Sequence, residues 1–185
     1  MGNVITGMRM SLDGFINDPG GSVAPLYPDM NELSSIETIQ ESIRSTGAVV
    51  MGRNSFDMAS EDYDWSTYEY QVPIIVLTHH PPRLNPKAGP HQTFTFVTDG
   101  IESAVAQAKQ AAGGKDVAVV PGASTTNQCL QAGLANELHV DVMPVLLGGG
   151  LRPFEAPGLD RIKLERIKVI ELPSGGVHIG YRVIK

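Results

Sequence analysis

The sequence is poor in cysteine, in clusters of positive charge and in long apolar runs. A single cysteine, Cys129, among 185 residues excludes an internal disulfide and any metal site built from several cysteines. The 14 Lys and Arg residues stand against 20 Asp and Glu, and the net charge of −6 argues against a nucleic-acid partner. No apolar run approaches the roughly 20 residues that span a bilayer, so no membrane partner is expected.

The N-terminus has no cationic segment followed by an apolar run, so no secretory signal peptide is predicted. We therefore expect a cytoplasmic protein with one domain over residues 1–185, a length sufficient to bury a core.

Several common catalytic signatures are also absent. The chain has no GxGxxG or GxxxxGKS nucleotide fingerprint and no GxSxG nucleophile elbow. No metal site is predicted, because His79 and His80 are adjacent and cannot converge on one ion from a regular strand. Without a nucleophile or a paired-carboxylate signature, catalysis would depend on a bound cofactor.

Apolar, β-branched segments alternate with amphipathic ones along most of the chain. Their periodicity predicts six strands and then a terminal hairpin, with helices over 29–45, 55–60, 101–112 and after residue 123. The six strands are 3–10, 48–51, 72–78, 93–97, 117–120 and 137–145, and the hairpin strands are 162–172 and 177–184. This order predicts an α/β fold in three layers, with a mainly parallel central sheet and an antiparallel C-terminal hairpin at its edge.

The most informative stretch is 117–134, VAVVPGASTTNQCLQAGL. A buried strand ends at Pro121-Gly122, and Ser124, Thr125 and Thr126 are predicted to cap the helix that follows. A helix N-terminus after a glycine turn suits a phosphate, because free N–H groups and the helix dipole point at it. The same turn also joins strand to helix in many proteins that bind nothing there.

A second turn of this kind is Gly52-Arg53-Asn54-Ser55, after the predicted strand 48–51. Glycine permits close approach, the helix start donates N–H groups, and Arg53 supplies a cationic fork. A solvated or ion-paired surface arginine is the alternative. Two such turns at the carboxyl ends of parallel strands indicate a dinucleotide or another ligand with several phosphates.

The aromatic segment after residue 60 allows two interpretations. Tyr63, Trp65, Tyr68 and Tyr70 could stack on a heterocycle, or they could pack on the core or on a partner subunit. We favour packing.

Taken in order, the motifs SLDGFI, VVMGRNSF, IIVLTHHP, VAVVPGASTTNQCL and LHVDVMPVLLGGGLRPFE resemble those of the dihydrofolate reductase-like superfamily. Within it, the chain is most similar to the RibD C-terminal type, the reductase domain of riboflavin biosynthesis and its stand-alone bacterial relatives. The resemblance covers roughly residues 3–184. It implies a dihydrofolate reductase-like fold, an oxidoreductase that uses NADPH, and a homodimer.

The resemblance also implies roles for individual residues. Arg53 would bind the 2′-phosphate of NADPH, with Gly52, Asn54 and Ser55 beside it. The adenosine would lie along Leu77, Thr78 and His79, and the pyrophosphate would lie on Gly122, Ala123, Ser124 and Thr125. Ser11, Leu12, Asp13 and Phe15 would border the nicotinamide and the substrate, with Asp13 as the catalytic candidate near the reacting atoms. Glu37 would be the acidic substrate-binding residue of the first long helix, although Ile36 aligns about as well.

One departure concerns the phosphate turn, where Pro121 stands in place of the first of the family's usual two glycines. Proline removes an N–H, which puts the usual turn geometry in question. The expected reaction is hydride transfer to a C=N or C=O carbon of a small heterocyclic substrate, similar to that of 5-amino-6-(5-phosphoribosylamino)uracil reductase. The alternatives are a dihydrofolate or pterin reductase, a non-catalytic NADP(H)-binding module, or an α/β domain whose turns bind nothing.

Overall fold

The computed structural model describes residues 2–28, 37–59, 63–83 and 86–184. The first part of the predicted helix 29–45, including Ile36, lies outside the described residues, as do residues 60–62 of the aromatic segment.

Eight strands and four α-helices follow one another along the described chain. The strands are β1 (Val4–Ser11), β2 (Thr46–Gly52), β3 (Ile74–Leu77), β4 (Phe94–Val97), β5 (Asp116–Val119), β6 (Glu137–Met143), β7 (Lys163–Glu171) and β8 (Val177–Ile184). The helices are α1 (Glu37–Ser45), α2 (Arg53–Asp57), α3 (Ile101–Ala111) and α4 (Ala123–Gln131). Three short 3₁₀ turns occupy Ala24–Leu26, Trp65–Thr67 and Leu159–Arg161.

All eight strands form one sheet in the order β4-β3-β2-β5-β1-β6-β8-β7. The first six strands in this order run parallel to their neighbours, whereas β8 is antiparallel to both β6 and β7. The predicted mainly parallel sheet with an antiparallel C-terminal hairpin is therefore confirmed. Strands β1 and β2 both lie in the first third of the chain, but they do not pair with each other. Strand β5, which follows much later in the sequence, lies between them in the sheet.

Residues that alternate along the strands supply two apolar layers, one on each face of the sheet. On β2, Ala48 and Val50 join the core beneath α3 and α4, whereas Val49 and Met51 join a second core with Trp65. Helix α3 contacts β2, β3 and β5, and α4 contacts β1 and β2. The buried strands are apolar on both sides because helices or loops cover both faces, as the α/β prediction requires.

Trp65 is the centre of the second core. Its ring stacks on Phe56 with centroids 5.5 Å apart and meets Tyr63, Tyr68 and Phe94 edge to face. Trp65 is only 4% exposed. The packing interpretation of the aromatic segment is therefore confirmed for its tryptophan.

Two local predictions are wrong. Helix α4 begins at Ala123 behind an N-cap at Gly122 that has no side-chain hydrogen bond, so Ser124, Thr125 and Thr126 lie inside the helix. The brief helix predicted at 55–60 begins two residues earlier, at Arg53. In both places the N-cap is the glycine, whose backbone is extended as is typical of the residue before a helix.

Among the described residues, no helix has the length and apolar character needed to cross a membrane. The same residues contain no group of three or more His, Cys, Asp or Glu side chains arranged to hold a metal ion.

Candidate functional site

The turns singled out in the sequence meet at one edge of the sheet. Four neighbouring strands of the sheet, β3, β2, β5 and β1, run parallel to one another. Their carboxyl ends therefore lie at the same edge, at Leu77, Gly52, Val119 and Ser11 respectively. In open α/β sheets this edge is where ligands bind. The structure thus places all of the predicted cofactor-binding turns along a single edge.

The turn between β5 and α4 presents helix N–H groups that have no partner among the described residues. As in any α-helix, the first N–H groups of α4 have no partner within the helix, and the first bond within it runs from the Thr126 N–H to the Gly122 carbonyl, at 3.0 Å. Pro121 precedes the N-cap and is exposed. The N–H that proline lacks therefore lies outside the first turn of α4, so the departure from two glycines leaves the N–H groups of that turn in place.

The two phosphate-type turns touch each other. The Ser55 hydroxyl donates to the Pro121 carbonyl at 3.0 Å, which joins α2 to the turn before α4. A Cβ atom at Gly122 would lie 3.2 Å from the Ser55 hydroxyl oxygen, and one at Gly52 would collide with the Thr125 hydroxyl oxygen. Close approach therefore favours glycine at both positions, and more strongly at Gly52 than at Gly122.

Arg53, the first residue of α2, is hydrogen-bonded on two sides. Its Nε donates to both carboxylate oxygens of Asp57, at 2.7 and 2.8 Å, and its Nη1 donates to the His80 carbonyl at 2.6 Å. The guanidinium thus bridges the turn after β2 to the turn after β3. Arg53 is therefore ion-paired, as the alternative interpretation has it, and its guanidinium also carries N–H groups that could donate to a phosphate.

The turn after β3 has its own internal support. The Thr78 hydroxyl donates to the His80 carbonyl at 3.1 Å and accepts from the His80 N–H at 3.2 Å. Thr78 is buried, whereas the side chain of His79 is exposed. Leu77 packs partly buried against the main core, so of the three residues predicted along the adenosine only His79 is exposed.

Asp13 is bound on three sides in the loop after β1. Its carboxylate accepts from the Ser11 hydroxyl at 2.6 Å, from the Leu147 N–H at 3.1 Å and from the Gly148 N–H at 2.7 Å. These donors favour the ionised form, with the Ser11 hydroxyl contributing most, and they lower the pKa of Asp13 to about 2. Asp13 is therefore a carboxylate at neutral pH, and its oxygens are already acceptors.

The same loop is joined to the loop after β6 at further points. The Leu12 N–H donates to the Val145 carbonyl at 2.9 Å, and the Ile16 N–H donates to the Leu151 carbonyl at 2.9 Å. The guanidinium of Arg152 lies over the Phe15 ring, 4.5 Å from its centroid. We call residues 11–17 and 145–152 together the loop pair, because hydrogen bonds join the two segments at several points.

Two large apolar side chains of the loop pair face solvent. Leu12 is 67% exposed and Leu146 is 72% exposed. They follow β1 and β6 respectively, and the bond between Leu12 and Val145 places their backbones side by side. The loop pair thus offers an apolar surface beside the bound carboxylate of Asp13.

Glu37 stands apart from these groups. It is the first described residue of α1, is exposed, and forms an ion pair with Arg44 at 2.6 Å. Among the described contacts, none joins its carboxylate to the loop pair.

Sequence reasoning missed three features of this edge. Asp57 is four residues after Arg53, a spacing that pairs opposite charges on a helix and could have been identified. The N–H groups of Leu147 and Gly148 carry no sequence signal, since every residue except proline has one. The bond from Ser55 to Pro121 joins residues 66 positions apart, which no local pattern predicts.

Comparison with known proteins places these observations in a family. Residues 3–177 match the family described as RibD C-terminal domain. YyaP of Bacillus subtilis, a protein of uncharacterised function, is 26% identical over 190 residues, which cover 96% of this chain and 93% of YyaP.

Solved structures share the fold. A protein of Shewanella sp. PV-4 provisionally assigned to riboflavin biosynthesis aligns with a TM-score of 0.76 at 23% identity, and the match covers 99% of each chain. Dihydrofolate reductase from Enterococcus faecalis, in complex with NADP(H), aligns with a TM-score of 0.63 at 13% identity, covering 99% of this chain and 97% of that enzyme. The predicted dihydrofolate reductase-like fold is confirmed.

Proposed function

Because residues 3–177 match its defining domain, this chain belongs to the RibD C-terminal domain family, and we propose that it is an NADPH-dependent reductase. Family membership and the dihydrofolate reductase-like fold support an oxidoreductase. The observation that carries the cofactor proposal is the contact between two anion-type turns, which Ser55 and Pro121 join directly.

The residues present fit a dinucleotide. Gly52 and Gly122 let the two turns pack closely, and a pyrophosphate would accept hydrogen bonds from the N–H groups of Ala123, Ser124 and Thr125 at the start of α4. Arg53 would donate to a 2′-phosphate from the guanidinium N–H groups that Asp57 and His80 leave unused. Of Leu77, Thr78 and His79, the exposed side chain of His79 would contact the adenosine, whereas the buried Thr78 would hold the turn; Asn54 is exposed beside Arg53.

A reduced nicotinamide supplies a hydride for a C=N or C=O carbon when it is bound. The chain's own contribution would be to orient the reactants and exclude water, and the exposed apolar side chains of Leu12 and Leu146 suit a flat ring. Ser11 and Phe15 would help to hold the loop pair beside that ring.

Asp13 remains our candidate near the reacting atoms, but its pKa of about 2 changes the role that we propose. An acid that is ionised at neutral pH does not supply the proton that must follow hydride transfer to a C=O carbon. We therefore propose that Asp13 is a positioning residue that fixes the loop pair, and that solvent or another group supplies the proton.

For the substrate we propose a ribosylamino-pyrimidine, as in 5-amino-6-(5-phosphoribosylamino)uracil reductase of riboflavin biosynthesis, bordered by the loop pair. Glu37 is left out of this proposal, because its carboxylate pairs with Arg44. A dihydrofolate or pterin is the alternative substrate. A non-catalytic NADP(H)-binding module is a second candidate function, and the observation that favours it is the engaged, ionised carboxylate of Asp13.

The first test is a fluorescence titration with NADPH and NADH. Arg53→Ala should weaken NADPH binding about 10-fold to 100-fold, the value of lost charge-assisted hydrogen bonds, and should affect NADH much less. Arg182→Ala is the matched control, because Arg182 pairs with Glu165 on the terminal hairpin and should leave both affinities unchanged. Equal loss of both nucleotides in Arg53→Ala, or no saturable binding to the unaltered protein, would contradict the proposal.

A screen for NADPH oxidation with ribosylamino-pyrimidines, dihydrofolate and other pterins then separates the functions. Turnover of one class identifies the substrate, whereas saturable binding without turnover of any supports the non-catalytic module.

Three further expectations stay predictions. Residues 1–185 as a single domain agree with one sheet that includes strands from β1 to β8. A cytoplasmic location is an expectation from the sequence alone. A homodimer would use the terminal strands, where Leu164, Val169 and Ile184 expose 43%, 53% and 43% of their surface.

A further inference from the structure

Strand β1 carries a charged side chain, Arg9, that is buried. Arg9 is only 5% exposed, and its Nε donates to one carboxylate oxygen of Asp141 on β6, at 3.1 Å. The other carboxylate oxygen of Asp141 pairs with Nδ1 of His178 on β8, at 2.7 Å. The three residues lie directly opposite one another on three neighbouring strands. Because apolar side chains of similar size often stabilise a protein as well as a buried ion pair does, the role of this row is to be sought in what Arg9 holds.

Arg9 joins the row to the segment that follows the first half of the loop pair. Its Nη1 donates to the Leu26 carbonyl at 3.2 Å, and its guanidinium lies over the Tyr27 ring, 4.7 Å from the centroid. Leu26 is the last residue of the 3₁₀ turn Ala24–Leu26. A planar guanidinium can make these contacts while it pairs with Asp141, whereas the ammonium group of a lysine is a compact point charge.

The same 3₁₀ turn packs against the loop pair. A third apolar core consists of Leu26, Met143 and Leu172, with Tyr27, Val145 and Leu147 packed against it. Val145 and Leu147 belong to the loop pair, and the Leu147 N–H donates to Asp13. Contacts therefore run from Arg9 through the third core to the carboxylate of Asp13.

We propose that Arg9 is a positioning residue for the loop pair. Asp141 and His178 hold the guanidinium, the guanidinium fixes the turn 24–26, and this turn keeps the loop pair in place through the third core. The inference rests on the proposed function only in that the loop pair then borders a substrate. Arg9 itself has no part in hydride transfer.

Hydrogen exchange of the backbone amides tests this in the protein without ligands. Arg9→Lys keeps the positive charge beside Asp141 but lacks the fork that also reaches the Leu26 carbonyl. The hydrogen-bonded amides of the loop pair should exchange about 10-fold to 100-fold faster, the scale of one lost hydrogen bond from a charged group. Asp141→Asn, which keeps an oxygen acceptor but removes the charge that holds Arg9, should act in the same direction.

Two controls separate positioning from general stability. Val105→Ala opens a cavity in the main core, so it should speed the slowest amides of β2 and β3, which exchange through unfolding of the whole sheet. It should leave the loop pair unchanged, because local opening does not break the contacts of Val105. Arg182→Lys makes the same substitution as Arg9→Lys in an exposed pair with Glu165, and it should change neither set of amides.

The effect on activity is measured with the substrate that the NADPH-oxidation screen identifies. Arg9→Lys should lower kcat/KM for that substrate about tenfold, because a displaced loop pair orients it less well. The dissociation constant for NADPH should change by less than about twofold, since the phosphate-type turns follow β2 and β5 and not β1 or β6.

The outcomes separate this inference from the function on which it rests. If the loop-pair amides keep their exchange rates in Arg9→Lys and Asp141→Asn, or if Val105→Ala speeds them as much, the inference is overturned and the reductase proposal stands. An equal loss of NADPH affinity and of kcat/KM in Arg9→Lys also overturns it, because Arg9 would then support the whole edge of the sheet. If the exchange result holds but no nucleotide binds, the role of Arg9 stands and the proposed function fails.

Discussion

The contact between Gly52 and Thr125 predicts that the effect of Gly52→Ala on the free energy of unfolding changes sign when Thr125 is replaced by alanine. The backbone of Gly52 has φ −75° and ψ 154°, which alanine adopts without strain. A Cβ atom there would collide with the Thr125 hydroxyl oxygen, but it would lie 3.7 Å from the Thr125 Cβ, an ordinary contact. The obstacle to alanine is therefore one oxygen atom of a residue on α4.

The magnitudes follow from this geometry. In the unaltered protein, Gly52→Ala should lower the free energy of unfolding by about 1–3 kcal/mol, the cost of overpacking a buried contact. In a Thr125→Ala background the oxygen is gone, and Gly52→Ala should raise the free energy of unfolding by about 0.4–1 kcal/mol, because alanine restricts the unfolded chain. The coupling between the two positions should therefore be about 1.5–4 kcal/mol.

Urea unfolding of the four proteins, followed by far-UV circular dichroism and by the fluorescence of Trp65, measures this cycle. Trp65 is the one tryptophan of the sequence and is buried, so its emission reports on the folded core. Gly7→Ala is the control, because a Cβ atom there would lie 3.4 Å from the His139 carbonyl oxygen and would not meet Thr125. Its effect on the free energy of unfolding should therefore add to that of Thr125→Ala without coupling.

An equal cost of Gly52→Ala in both backgrounds would refute this reasoning, since the Thr125 oxygen would then not be the obstacle. A negligible cost in the unaltered protein would also refute it. Thr125 would in that case rotate away, and the two turns would be less tightly packed than the structure shows.

Two further predictions concern the turn before α4 and a partly buried histidine. Pro121→Gly should change the dissociation constant for NADPH by less than about twofold, because the N–H groups of the first turn of α4 are present with either residue; a tenfold change in a fluorescence titration would contradict this. Burial lowers the pKa of His139 below its ordinary value of 6.5. The unfolded chain therefore binds the proton more tightly than the folded one, and stability is lost as the pH falls from about 6.5 through the folded pKa. His139→Gln should therefore reduce the fall in Tm between pH 7.5 and 5.5, and a parallel fall in both proteins would count against the assignment.

The fold could be predicted from the sequence because its information is local. Apolar runs such as 48–51 and 117–120 are long enough and β-branched enough to identify buried strands, and their alternation with helices implies a parallel sheet. The helix boundaries were less accurate. The side chains of Ser124, Thr125 and Thr126 are as typical of a helix cap as of a first turn, and only the backbone of Gly122 decides between them.

The site was predictable in its position but not in its bonds. The phosphate-type turns follow strands, so the sheet edge on which they meet could be inferred from strand order. The ionisation state of Asp13 could not be inferred, because two of its hydrogen-bond donors are the backbone N–H groups of Leu147 and Gly148, more than 130 residues away along the chain. Sequence patterns identify side chains, whereas this pKa depends on which main chain lies beside the carboxylate.

The same separation in sequence determines how a ligand should act on stability. Strand β5 lies between β1 and β2, so Ser55 and Pro121 meet only when the centre of the sheet has formed. The loop pair likewise needs β1 and β6 to be paired, because Asp13 and Gly148 follow those two strands. No fragment that contains one turn alone presents the complete site. A dinucleotide that binds across both turns should therefore stabilise the sheet as a whole, by about 2.7 kcal/mol at 100 times its dissociation constant, rather than a local segment.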